Sequence, residues 1–170
     1  MMESDDCIDD SLIQIPLFNE PYLLALPPHM DKIHINSFHD LTNLHFIRFT
    51  RNSVTGKEIE RYLRWQRYDI EKSLEFDSAS AILPMVSAGI GWSIMPPLCL
   101  LQSGCELSNI CLRHLPGSGL NRNIVLVHHK QELHEAVDVI GHIANSIFLK
   151  RCLPSLIRQL PILSEYSFTL

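Results

Sequence analysis

Leu74-Glu75-Phe76-Asp77-Ser78-Ala79-Ser80-Ala81-Ile82-Leu83-Pro84-Met85-Val86-Ser87-Ala88-Gly89-Ile90-Gly91-Trp92-Ser93-Ile94-Met95-Pro96 is the stretch that decides the fold. Residues 73–77 suit a short strand. Asp77 or Ser78 then caps a helix, because both side chains accept hydrogen bonds from the first free backbone N–H groups. Ile82, Met85 and Val86 fall on one face of that helix. Gly89 suits the residue just past its end, where a left-handed conformation is usual. Gly91-Trp92-Ser93-Ile94-Met95 is a second strand, stopped by Pro96-Pro97. Pro84 lies inside the expected helix and deletes one backbone bond, so the helix either kinks or starts late. A strand, a helix and a strand in this order make a βαβ unit, and the fold class is α/β with a mainly parallel sheet flanked by helices.

The pattern extends in both directions. Tyr22-Leu23-Leu24-Ala25-Leu26 is a continuous apolar run closed by Pro27-Pro28, which suits a strand buried on both faces, as in a parallel sheet. Residues 12–18 form a short extended run ending in the turn-like Asn19-Glu20-Pro21. His45-Phe46-Ile47-Arg48-Phe49 is a further strand. Thr55-x-x-Glu58 has capping-box spacing, and Ile59, Tyr62, Leu63 and Gln66 follow as one helical stripe. A short helix is expected at 98–101. Strands at 110–115 and 123–129 are joined by Pro116-Gly117-Ser118-Gly119, which reads as a hairpin turn. The last long helix carries Leu133, Ala136, Val137, Ile140, Ala144, Ile147 and Phe148 as one buried stripe, and Leu153, Leu156, Ile157 and Leu160 form a second amphipathic stretch.

Composition limits the chemistry. The 170 residues carry a formal charge of −5, with no basic block of the kind that phosphate contacts need. The five cysteines form no C-x-x-C pair and read as reduced thiols of a cytoplasmic protein. The acidic start lacks the apolar core of a signal peptide, and no run approaches the roughly 18 apolar residues of a membrane span. The nine histidines are scattered, and no His/Cys cluster has zinc-ligand spacing, so no metal or cofactor is expected. There is no G-x-S-x-G elbow and no P-loop. Gly117-Ser118-Gly119 lacks a strand-to-helix context, and Ala88-Gly89-Ile90-Gly91 follows a helix, unlike a dinucleotide fingerprint. No enzyme is expected.

In α/β sheets, ligands bind beyond the carboxyl ends of strands, at helix N-termini. That rule selects two places. The first holds Arg48, Thr50, Arg51, Asn52, Ser53 and Thr55, whose guanidinium groups, hydroxyls and helix-start N–H groups suit a carboxylate or another small anion. The bland alternative is an ordinary strand-to-helix loop whose Ser and Thr only cap. The second place holds Asp77 and Ser78, which serve either as a cap or as ligand contacts. Trp92 either packs in the sheet or lies against a ligand.

Four segments carry a family resemblance. Glu20-Pro21-Tyr22-Leu23-Leu24-Ala25-Leu26-Pro27 resembles the strand entering the second lobe of the effector-binding domain of LysR-type transcriptional regulators. Phe46-Ile47-Arg48-Phe49 with Ser53 and Gly56 resembles that family's strand, ligand loop and helix start. Leu74-Glu75-Phe76-Asp77-Ser78-Ala79-Ser80-Ala81 resembles the next strand and helix, and the run from Val86 through Ala88-Gly89-Ile90-Gly91 to Pro96 resembles its "AGxG" turn. Order and spacing match over roughly residues 12–149. The resemblance implies a fold like that of type 2 periplasmic binding proteins, an effector bound between two lobes, and pairing of sensor domains into a homo-oligomer. It places 1–19 as a remnant of the first lobe and hinge, 20–130 as the second lobe, 131–150 as a helix returning to the first lobe, and 151–170 as a tail. No counterpart of the family's winged helix-turn-helix, linker helix or most of the first lobe is expected, so this chain is expected to make no direct contact with DNA. The implied function is effector sensing. The alternatives are a remnant acting only by dimerisation and a solute-binding domain of the same fold.

Overall fold

The computed structural model describes residues 11–71, 73–130 and 134–168. In chain order the elements are β1 (Leu12–Pro21), β2 (Leu23–Leu26), β3 (His45–Phe49), α1 (Val54–Trp65), β4 (Ser73–Phe76), α2 (Ala79–Ser87), β5 (Gly91–Met95), α3 (Pro97–Gln102), β6 (Cys111–His114), β7 (Asn121–His129), α4 (His134–Ile147) and α5 (Leu153–Gln159). They divide into two compact units, one of Met1–Glu20 with Arg122–Leu170, the other of Pro21–Asn121.

The second unit is built on a five-stranded sheet of order β4-β3-β5-β2-β6. β3 pairs parallel with β4 and β5, while β2 pairs antiparallel with β5 and β6. The sheet is therefore mixed. The apolar run at β2 marks a strand buried on both faces, as expected, but that burial reports its interior place and not its direction. The passage β3-α1-β4 moves one way along the sheet and β4-α2-β5 moves back past β3. Right-handed crossovers then place α1 and α2 on opposite faces. On the α1 face lie Phe46, Arg48 and Trp92. Phe38 and Tyr68 close over Trp92 with ring centroids 5.6 and 6.0 Å away, and Phe46 lies 4.6 Å from it. This aromatic cluster and the fully buried Leu23, Leu24, Ile47, Leu63, Ile82, Leu83 and Ile94 form the core.

α2 starts at Ala79, with Ser78 as its extended cap residue, so Pro84 is inside the helix and the late start does not occur. Gly89 follows the helix with φ +82°, the role its position suggested. The buried face of α2 is Ile82, Leu83 and Val86, with Met85 half-buried.

In the first unit β1 pairs with β7. β1 continues through Asn19-Glu20-Pro21, where the sequence suggested a turn. Glu20 is 1% exposed and its carboxylate meets Arg122 at 2.5 Å. Phe18 stacks on Phe148 at 3.5 Å, and Phe168, Leu156, Leu160 and Leu163 are buried with them. Two expectations fail here. β6 and β7 lie in different sheets, so Pro116-Gly117-Ser118-Gly119 is no hairpin turn. The buried side of α4 is Val137 and Gly141 leading to Phe148, whereas Ala136, Ile140 and Ile147 are exposed; Leu133 lies outside the described residues. A two-stranded ribbon covers only a narrow strip of the helix.

Candidate functional site

The carboxyl ends of β3 and β4 lie side by side, with Phe49 opposite Phe76. One bond beyond them, the Thr50 N–H donates to the Phe76 carbonyl at 2.9 Å. This brings the loop before α1 next to the loop before α2. Thr50, Arg51, Asn52, Ser53, Thr55, Asp77 and Ser78 therefore share one edge of the sheet. The first N–H groups of each helix have no intrahelical acceptor and open toward that edge.

Local chemistry fixes the first loop. The Thr50 carbonyl accepts from the Ser53 N–H at 3.0 Å and from the Ser53 hydroxyl at 2.8 Å. Ser53 Oγ in turn accepts the Gly56 N–H at 3.0 Å, so Ser53 caps α1. The expected Thr55–Glu58 capping box is not used. Thr55 lies one residue inside the helix, and Glu58 accepts the Tyr22 hydroxyl at 2.5 Å. A Cβ on Gly56 would overlap the Thr50 carbonyl oxygen, so the loop closes this tightly on the helix because that residue is glycine.

The second loop is more open. Asp77 is exposed, Ser78 is half-buried, and Ser78 Oγ lies 3.1 Å from Ser80 Oγ. The Ser78 side chain makes no cap bond to α2, although the residue occupies the cap position.

Two of the expected ligand residues are elsewhere. Trp92 is fully buried in the aromatic core. Arg48 is 3% exposed and pairs with Glu60 at 2.8 Å on α1, turned away from solvent. Arg51 is 63% exposed, with Nε 3.8 Å from Glu75, whose other carboxylate oxygen accepts the Arg51 N–H at 3.2 Å. Sequence reasoning missed both carboxylates. Glu75 alternates with the half-buried Leu74 and Phe76, a signal that shows its outward face but not the register that puts it opposite Arg48. Pro96-Pro97, read from the sequence as a strand stop, follows β5 at the same edge. β3 sends its connection toward β4, and β5 sends its own the other way, so the ends of β3 and β5 form the topological switch point at which such sheets bind ligands.

Two small cavities, about 100 Å³ beside Phe38, Gln66 and Gly117 and about 140 Å³ beside Leu17, Gly141 and His142, include none of the expected residues. Among the described residues no group of three His, Cys, Asp or Glu side chains is placed to hold a metal, and no helix is long and apolar enough to cross a membrane.

The LysR substrate binding domain matches residues 4–143. The chain belongs to that family. No curated protein matches the sequence. Among solved structures, the reduced OxyR regulatory domain from Pseudomonas aeruginosa is 17% identical with a TM-score of 0.61, covering 81% of this chain and 65% of that one. A sulfate-bound OxyR2 regulatory-domain variant from Vibrio vulnificus is 16% identical with a TM-score of 0.68, covering 82% of this chain and 68% of that one. The QuiR effector-binding domain in complex with shikimate is 17% identical with a TM-score of 0.67, covering 88% of this chain and 70% of that one. This LysR-family chain thus spans about two thirds of those domains, and 45% of full-length OxyR. At such identities the likeness is one of fold, the type 2 periplasmic-binding-protein-like α/β domain expected from the sequence.

Proposed function

We propose that this chain senses a small-molecule effector, a carboxylate or other small anion, as part of a cytoplasmic LysR-type regulator, and that it is neither an enzyme nor itself a DNA-binding element. The Thr50–Phe76 bond carries the reading, because it aligns two helix N-termini and their hydroxyls on one edge. Thr55, Ser78 and the exposed Arg51 supply donors there; Ser53, whose hydroxyl donates to the Thr50 carbonyl, holds the loop in shape, and Thr50 and Asn52 complete it. Arg48 and Trp92 take no part in contact. Similar folds hold shikimate in QuiR and sulfate in OxyR2. The test is thermal melting of the full chain against sulfate, shikimate, and aromatic and aliphatic carboxylates. Binding raises the midpoint with concentration. Arg51→Ala or Ser53→Ala reduces that rise. A flat response to every acid sinks the reading.

A second reading, action through association alone, is favoured by the apolar side of α4, where Val139, Ile140, Ile143 and Ile147 are 47–56% exposed.

A further inference from the structure

Helix α1 is fastened to both segments by which the chain enters and leaves the second unit. Tyr22, one residue after the entry at Pro21, is 1% exposed and donates its hydroxyl to Glu58 Oε2 at 2.5 Å. Tyr62, one turn further along the same helix and 3% exposed, donates to the carbonyl of Pro116 on the outgoing segment at 3.0 Å. The two segments are joined to each other as well, since the Tyr22 N–H donates to the Leu120 carbonyl at 2.8 Å. Sheet register puts them at the same edge as the loops described above. Leu23 is opposite both Met95 and His114, at the carboxyl ends of β5 and β6.

We infer that α1 is a coupling element, in which Tyr22 and Tyr62 transmit a change in the 50–53 loop to the entry and exit segments. Two features make it stiff enough for that. Its first turn is locked to the loop by the Ser53 cap and the close approach at Gly56. Its body is held by buried Ile59 and Leu63. A helix moves as a rigid rod, so disturbance at its capped end is felt where its side chains are bonded. Phenol-to-carboxylate bonds are short and charge-assisted, which suits Tyr22 and Glu58 to carry displacement rather than absorb it. The inference concerns the chain itself and stands whether or not the edge takes an anion.

The test is a mutant cycle on the full chain, read by amide hydrogen exchange. Ser53→Ala removes the cap and speeds exchange at Gly56 about five-fold, the equivalent of a typical N-cap loss. Coupling predicts that the Tyr22 amide speeds up also, while the core amides of Leu24 and Ile47 do not. In the Tyr22→Phe/Tyr62→Phe background, Ser53→Ala still speeds Gly56 but no longer affects the amide at position 22. An equal response of the amide at position 22 in both backgrounds, or none in the first, overturns the inference. Should Ser53→Ala fold poorly, Ser53→Gly removes the same hydroxyl with less damage to the helix start, and the same two outcomes decide.

Discussion

Arg48 and Glu60 form an ion pair at 2.8 Å that spans β3 and α1, with the arginine 3% exposed and the glutamate 26%. Among the described residues, Arg48 is the buried cation next to the candidate site, and this pair engages it. The pair leaves Arg48 Nε without a partner among the described residues.

Loss of the glutamate should therefore cost more than loss of both groups. Glu60→Gln leaves a buried guanidinium without its counter-charge and is expected to destabilise the fold by about 2–3 kcal/mol, below the roughly 3–5 kcal/mol of a fully buried broken pair because Glu60 is partly solvated and the amide oxygen can still accept. Arg48→Met combined with Glu60→Gln should lose less. Urea denaturation of the four species measures this. An unchanged midpoint for Glu60→Gln would mean that the carboxylate charge contributes nothing to holding Arg48.

Gly56→Ala sets two effects against each other. Alanine improves helix propensity by about 1 kcal/mol. Its Cβ meets the Thr50 carbonyl oxygen, a backbone atom that cannot rotate aside. Overpacking of this kind typically costs about 1–3 kcal/mol, so the net effect is a lower melting temperature. A midpoint that stays or rises would show that the loop does not hold to the helix.

What the sequence revealed depended on whether a signal had one structural meaning. Gly89 sits at a left-handed position that few residues but glycine adopt, and Pro96 fixes its own φ, so β4-α2-β5 was legible residue by residue. Ser53 and Thr55 are both good cap residues, and Thr55-x-x-Glu58 has the better spacing. In the structure Ser53 is the cap, and Glu58 is taken by Tyr22, which lies between β1 and β2 far away in sequence. A Pro-Gly turn looks the same whether the flanking strands pair or part, which is why 110–129 was misjudged. On α4 apolar residues occupy two sides at helical spacing, and periodicity alone cannot say which side the protein covers. The edge shared by the two loops was legible from topology. The partners of Arg48 and Arg51 were not, since ion pairs depend on strand adjacency.

Asp40 gives the chain a sensitivity to acid. Its carboxylate accepts the Ser37 N–H at 3.0 Å and the Asn36 N–H at 2.8 Å, and these bonds hold its pKa below the ordinary 3.8. A lowered carboxylate pKa stabilises the folded state above the ordinary value, and that contribution is lost as pH falls through the lowered one. Stability should thus decline below pH 3.8 more steeply in the native protein than in Asp40→Asn. Equal slopes in chemical denaturation across that range would show that the turn at 36–40 does not hold the carboxylate.

The exposed side of α4 bears on association. Ile140 and Ile143 are 54% and 53% exposed and lie one turn apart on a face that neither β1 nor β7 covers. Because neither is in the buried core, Ile140→Lys/Ile143→Lys should leave the melting temperature of the dilute chain nearly unchanged. If copies meet through this face, charge there opposes every such contact, and the sedimentation mass of the concentrated protein should fall toward that of a monomer. A native chain that sediments as a monomer at all concentrations removes the association reading. A variant as associated as the native chain moves the interface elsewhere.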